Sequence, residues 1–108
     1  MERGAWNEDP VVQGFREQIS AADRTILEAL NRRIELVGRL RDYKAQHGYP
    51  FLDRVREASL LEELEHRNEG PLSAEGLREF FSRLLALVKH EVDGASPSER
   101  GGAPTRPS

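Results

Sequence analysis

The chain has no cysteine among its 108 residues, and this absence excludes several kinds of site. Disulfide bonds, thiolate nucleophiles and cysteine-ligated zinc or iron–sulfur centres all require sulfur atoms that the sequence does not supply. Long apolar runs are also missing, since the longest is the stretch from Leu84 to Val88, whereas a helix that spans a bilayer needs about 20 apolar residues. The first ten residues, MERGAWNEDP, lack the apolar core of a signal peptide. We therefore expect a soluble, cytoplasmic protein with no membrane partner.

The chain has a small fraction of apolar residues and a small net charge. Apolar residues make up 37% of the chain and charged residues 32%, so a single chain of this length buries little surface, and a core shared with a second chain is expected. The 16 Lys and Arg against 19 Asp and Glu give a formal charge of -3, which argues against nucleic acid as a partner. The sequence predicts one small domain that is completed by oligomerisation.

Both ends of the chain are poor in large apolar side chains. Residues 1–9 are polar apart from Trp6, and residues 94–108 contain three Gly, three Pro and three Ser without a large aliphatic or aromatic side chain. Such segments cannot offset the entropy cost of ordering. We predict a disordered N-terminal segment over 1–9, a folded domain over 10–93 and a disordered tail over 94–108.

Within the predicted domain, apolar residues recur at steps of three and four, which is typical of helices with one apolar face. The first predicted helix runs from about Pro10 to Gln46, roughly 55 Å at 1.5 Å per residue. This is longer than a compact domain of this size normally holds, so the helix needs a partner along its length. Gly48 and Pro50 end it, because glycine suits a left-handed cap and a proline disfavours helix before it.

Two further helices follow this break. Asp53 is the candidate N-cap of a short helix that ends near Asn68, and Ser73 is the candidate cap of a medium helix from Ala74 to about Val92. No segment alternates like a strand. The predicted fold class is all-α, with a long, a short and a medium helix.

Two cations of the long helix suggest an anion site. Arg33 falls on the apolar stripe, and Lys44 lies about 20° around the helix from it and about 16 Å further along. One small anion between them is within reach of both side chains, although the alternative is that Arg33 reaches solvent and Lys44 is an ordinary surface lysine. The short helix opens with Asp53, Arg56 and Glu57, where the helix dipole favours an anion or a hydroxyl. Taken alone, such a first turn is more often capping.

With these residues in place, the sequence resembles the all-helical class of chorismate mutases. The resemblance runs from FREQISAADRTILEALNRRIELVGRLRDYK through the loop to DRVRE, and more loosely to about Val92. The shared pattern is an arginine that opens the long helix, an Arg-Arg pair, a lysine near the helix end and then Asp-x-x-Arg-Glu. The matching residues are Arg16, Arg32, Arg33, Lys44, Asp53, Arg56 and Glu57. The resemblance implies an intertwined helical homodimer.

The resemblance also implies an activity, the rearrangement of chorismate to prephenate in phenylalanine and tyrosine synthesis. No cofactor, metal or covalent intermediate is implied. Chorismate is a dianion, which suits arginines that bind carboxylates through paired N–H groups. Catalysis is expected to consist of selecting the folded diaxial conformer and stabilising the charge that grows on the ether oxygen.

Roles for individual residues come with the same resemblance. Arg16 and Arg33 are implied to bind the carboxylates, and Lys44 to bind a carboxylate and the ether oxygen. The ring-hydroxyl side of the substrate is implied to lie against Asp53, Arg56 and Glu57. The implied catalytic residues are Lys44, Arg33 and Glu57.

Helix geometry adds a constraint on Arg16 that does not depend on the family. Arg16 lies 17 residues before Arg33, which is about 25 Å along a continuous helix. One small ligand cannot contact both residues of the same chain. If Arg16 belongs to the site, it comes from a second subunit whose long helix runs antiparallel, so the active sites of the homodimer are shared.

The medium helix departs from the family pattern. Family members commonly present a Gln or Glu to the ether oxygen and, one turn earlier, a Ser near a carboxylate. Alignment on Phe81 places Val92 and Val88 at these two substrate-binding positions, and neither side chain donates a hydrogen bond. Some family members become efficient only in complex with the enzyme that opens the shikimate pathway, and a missing polar group suits such an activating partner.

Two alternatives remain open. Isochorismate–pyruvate lyase shares the fold and a similar cationic pocket, but Asp53 and Glu57 beside Arg56 favour the mutase because they suit the chorismate hydroxyl. The other alternative is a non-catalytic helical dimer that regulates a partner enzyme, which the two valines favour.

Overall fold

The structure is a computed structural model that describes residues 4–94. It contains four helices: α1 (Gly4–Asn7), α2 (Pro10–Gln46), α3 (Arg54–Arg67) and α4 (Ala74–Asp93). Residues 4–94 include no strand. The predicted all-α fold with a long, a short and a medium helix is confirmed. The disorder predicted for residues 1–3 and 95–108 concerns positions outside the described residues.

The one-turn helix α1 was not expected, because it falls within residues 1–9, whose polar composition predicts disorder. Its contacts are local. The Gln13 side-chain amide donates to the Asn7 carbonyl at 3.2 Å, and Asp9 Oδ1 accepts from the Val11 amide at 2.8 Å. The Trp6 ring lies 5.4 Å from the Arg16 guanidinium. The cation–π contact and the Gln13–Asn7 hydrogen bond therefore join α1 to α2, while Asp9 caps the start of α2.

The chain divides into two compact units, the first ending at Arg33 and the second beginning at Ile34. The first unit contains α1 and the N-terminal part of α2. Several of its large apolar side chains are more than half exposed in the single chain, and those on α2 are Val11, Phe15, Ile19, Ile26 and Leu27. All but Leu27 lie within about 80° around the helix. The long helix thus has the predicted apolar stripe, and the first unit does not bury it.

The second unit is built around the pairing of α3 with α4. Glu57 pairs with Lys89 and Glu65 pairs with Arg78, so residue numbers rise along one helix as they fall along the other, and the two helices run antiparallel. The buried apolar side chains of α4 are Leu77, Leu85, Val88 and Val92. These four lie within about 80° around α4 and form its inner face.

Local caps set the helix ends in the second unit. At the end of α2, the Tyr49 amide donates to the Lys44 carbonyl at 2.8 Å and the Gly48 amide donates to the Ala45 carbonyl at 3.3 Å. Gly48 has a φ of 72°, which completes a Schellman motif at the predicted break. Ser73 caps α4 by accepting from the Gly76 amide at 2.9 Å. None of the described helices is long and apolar enough to cross a membrane.

Candidate active site

Lys44 lies in the last turn of α2 and its side chain turns toward the loop that leads to α3. The Lys44 ammonium donates to the Phe51 carbonyl at 3.3 Å and lies 5.9 Å from the centroid of the Phe51 ring. The residue is half-buried. A carbonyl and a ring face satisfy only part of its donor capacity, so an ammonium donor remains for an anionic ligand.

Arg41, one turn before Lys44, connects the end of α2 to the end of α4. Its guanidinium lies 2.7 Å from Asp93 Oδ1 and donates to the Val92 carbonyl at 3.2 Å. It also lies 5.6 Å from the Phe51 ring. Sequence reasoning missed this residue, although its position three residues before Lys44 places the two side chains on the same side of α2.

The first turn of α3 brings three predicted site residues together. Asp53 Oδ1 accepts from the Arg56 amide at 2.9 Å, so the predicted N-cap is confirmed. The Arg56 side chain is exposed and forms no hydrogen bond or ion pair with another residue in the described part of the chain. It is available to a ligand.

Glu57 differs from its neighbours because its carboxylate is already paired. Glu57 Oε2 lies 2.9 Å from Lys89 Nζ on α4. The pair lies in an open groove of about 660 Å³ between α3 and α4, a volume within the range of small-molecule sites. The polar residues that line this groove are Arg54, Glu57, Ser82, Lys89, His90 and Asp93. Lys89 was not predicted from sequence, since only the register of α3 against α4 places it opposite Glu57.

Val88 and Val92 belong to the interior of the second unit. Their exposed fractions are 2% and 0%, and their side chains cannot donate a hydrogen bond. Glu91, which is adjacent, is exposed. The second unit therefore presents cations and carboxylates from α2 and α3, while α4 contributes Lys89 and apolar packing.

Arg16 and Arg33 lie in the first unit, separated by 17 residues of α2. At 1.5 Å per residue this is about 25 Å, so the structure does not bring these two arginines of one chain together. Arg33 is half-buried and makes no ion pair or hydrogen bond with another described residue. Around the helix it lies in line with the exposed apolar stripe formed by Val11, Phe15, Ile19 and Ile26, about 40° from Val11, and along the helix it lies about 10 Å beyond Ile26.

No group of three or more His, Asp or Glu side chains within residues 4–94 is arranged to hold a metal ion. The charged groups of the second unit suit an anionic ligand that also carries a hydroxyl: Lys44 and Arg56 offer donors, and Glu57 offers an acceptor.

Comparison with curated proteins and with solved structures gives no significant match. Comparison with family models does: the model of chorismate mutase type II matches residues 15–91. This span contains Arg16, Arg33, Lys44 and the Asp53–Glu57 turn. Since the match covers well over half of the chain, the protein belongs to the type II chorismate mutase family.

Proposed function

We propose that this protein is a chorismate mutase that converts chorismate to prephenate for phenylalanine and tyrosine synthesis. The observation that carries the proposal is the family match over residues 15–91, a span that includes the cations and carboxylates of the pattern described from sequence. The reaction breaks the carbon–oxygen bond of the ether and forms a carbon–carbon bond within the same molecule. It transfers no proton, so a site made of fixed charges suits it.

Each charged residue has a proposed task in this reaction. Arg33 and a second arginine, Arg16, bind the two carboxylates and hold the substrate in its folded conformer. Lys44 stabilises the negative charge that develops on the ether oxygen. Arg56, Asp53 and Glu57 receive the ring hydroxyl. The half-burial of Lys44 supports its role, because charge interactions strengthen where water is partly excluded.

The proposed active unit is a homodimer with shared sites. Ile19 and Ile26 on α2 are 59% and 56% exposed in the single chain, and an apolar stripe of this extent is typical of a protein interface. An antiparallel α2 from a second chain would cover this stripe and bring the partner's Arg16 toward Arg33. Sedimentation at micromolar concentration should give a dimer, and a folded monomer would contradict the proposal.

The direct test is an assay of purified protein with chorismate and, separately, with isochorismate. Prephenate from chorismate is the expected product, whereas pyruvate from isochorismate would identify a lyase of the same fold. Lys44→Ala should reduce turnover by about 10²–10³-fold, the usual cost of losing a donor to developing charge. Arg39→Ala is the matched control, because Arg39 lies on the same helix and, among residues 4–94, pairs only with Glu35 at the surface.

A second candidate, favoured by the burial of Val88 and Val92, is a dimer with little activity of its own. In this case α4 supplies no donor to the ether oxygen at either position. A partner enzyme, the one that opens the shikimate pathway, would then activate the site or be regulated by it. Adding that enzyme to the chorismate assay tests this candidate: a large rise in turnover supports activation, and absence of turnover with and without the partner supports a regulatory protein.

A further inference from the structure

The ion pair between Glu57 and Lys89 differs from the other ion pairs of the described residues. The exposed side-chain fractions are 33% for Glu57 and 31% for Lys89. By contrast, Arg83 and Glu79, also on α4, are 81% and 64% exposed. Water screens a half-buried pair less than a pair at the surface. The Glu57–Lys89 pair therefore fixes its two side chains more firmly than a surface pair would.

The atoms of the pair leave Glu57 with a defined acceptor. Lys89 Nζ lies 2.9 Å from Oε2, which leaves Oε1 as the second acceptor oxygen of the carboxylate. A carboxylate oxygen accepts a hydroxyl hydrogen, and an ammonium group cannot. Holding Oε2 thus sets the direction in which Oε1 faces. Arg54, His90 and Asp93 line the same groove and complete its charged surroundings.

We propose that Lys89 is a positioning residue that holds Glu57 Oε1 where it accepts the ring hydroxyl of the substrate. This inference rests on the proposed function and extends it to α4, to which the resemblance assigns only Val88 and Val92. Since chorismate and isochorismate differ in where the hydroxyl sits, a fixed acceptor also discriminates between them. Lys89 is then a determinant of substrate specificity that touches no substrate atom.

A purely structural role for the pair is the competing explanation. α3 and α4 are also joined by the Arg78–Glu65 ion pair and by the apolar inner face of α4. The two helices therefore have other contacts besides this pair. If the pair has only a structural role, its loss should change KM equally for all substrates. If Lys89 positions Glu57, its loss should change KM only for substrates that carry the hydroxyl.

The experiment compares Lys89→Met with wild type on chorismate and on the chorismate analogue that lacks the ring hydroxyl. Lys89→Met should raise KM for chorismate about tenfold, as expected when a hydrogen bond to a charged group is weakened. We expect kcat to stay within about twofold, and the analogue to show no change in KM. Lys89→Arg should keep most of the affinity, since it retains the charge. Arg83→Met, the same kind of change in the exposed pair, is the control and should behave as wild type.

The charge-swapped double variant Glu57→Lys with Lys89→Glu separates the two explanations a second time. It restores an ion pair but places an ammonium where the acceptor should be. Thermal stability should return to near the wild-type value while affinity for chorismate does not. Recovery of affinity by the swap, or an equal rise in KM for chorismate and the analogue, would overturn the proposal. If wild type does not convert chorismate, the proposed function itself fails and the positioning role fails with it.

Discussion

The two oxygens of the Asp53 carboxylate have different roles, one structural and one proposed for substrate binding. Oδ1 accepts from the Arg56 amide at 2.9 Å as the cap of α3, and the proposed contact with the substrate hydroxyl is left to Oδ2. Asp53→Ala removes both and should lower the free energy of unfolding by about 1 kcal/mol. Asp53→Ser keeps a capping oxygen but removes the carboxylate, so stability should stay close to wild type while KM for chorismate rises.

Denaturant unfolding and steady-state kinetics measure these two effects separately. Ser73→Ala is the matched control, because Ser73 caps α4 in the same way and has no proposed contact with substrate. The Ser73→Ala variant should have a lower free energy of unfolding than wild type and an unchanged KM for chorismate. An unchanged KM in Asp53→Ser would mean that Asp53 caps α3 and does not contact the substrate.

The sequence resemblance assigns Val92 to a position where family members carry a polar side chain, and Val92 is fully buried. Val92→Gln should reduce the free energy of unfolding by about 1–3 kcal/mol, because the amide enters an apolar interior. If the amide reaches the ether oxygen, it supplies the missing donor. We expect turnover of the folded variant to rise about tenfold, which corresponds to about 1.4 kcal/mol of barrier.

Leu77→Gln is the control for Val92→Gln. Leu77 is 3% exposed at the opposite end of α4, so the variant should lose stability without gaining turnover. Melting temperature and kcat are the two measurements. A fall in turnover of Val92→Gln with chorismate still bound would mean that Val92 serves packing alone.

At the scale of the helices, the end of α2 depends on one backbone conformation. Gly48 has a φ of 72°, and a side chain in this left-handed region costs about 1–2 kcal/mol. Gly48→Ala should therefore destabilise the protein by about 1 kcal/mol, and Gly48→Val by more. Gly48→Asn is the comparison variant, because asparagine tolerates this conformation better. Denaturation midpoints in the order Gly, Asn, Ala, Val are expected, and equal midpoints would contradict the motif.

The helix boundaries were predictable from sequence because local signals set them. Asp53, Ser73 and Gly48 each act within a few residues of their own position, and α3, α4 and the end of α2 follow from them. The short helix α1 was not predictable in this way. Its Trp6–Arg16 contact joins residues ten positions apart, and composition carries no information about such a contact.

The candidate site was predictable only in part, because some of its contacts join residues that are far apart in the sequence. Lys44, Arg56 and Glu57 follow from a sequence motif. Lys89 and Arg41 depend on how helices pair, since Lys89 meets Glu57 only through the antiparallel register of α3 and α4, and Arg41 meets Asp93 across 52 residues of sequence. Positively and negatively charged residues alternate so often along these helices that many ion pairs are possible. The sequence alone does not show which of them form.

At the scale of the whole molecule, the proposed shared site makes a prediction about mixtures. Arg16→Ala and Lys44→Ala should each be nearly inactive alone. When they are unfolded together and refolded, a mixed dimer has one site with both cations and one with neither. If half of the dimers are mixed, about a quarter of wild-type activity should return.

The matched mixture for this experiment combines Arg33→Ala with Lys44→Ala. Both changes remove groups that one chain is proposed to supply to the same site, so every site in the mixed dimer lacks one cation and activity should not return. Native mass spectrometry establishes that mixed dimers have formed. Mixed dimers without recovered activity in the first mixture would contradict the shared site.

The contact between Trp6 and Arg16 has an optical consequence. Trp6 is the only tryptophan of the chain, and its ring lies 5.4 Å from a guanidinium that is proposed to bind a substrate carboxylate. Indole emission responds to nearby charge, so neutralising or moving that guanidinium changes the intrinsic fluorescence of the whole protein. The fluorescence of Trp6 in each chain therefore reports the state of Arg16 in the same chain. Under the shared-site arrangement, that signal describes a site whose remaining residues belong to the partner subunit.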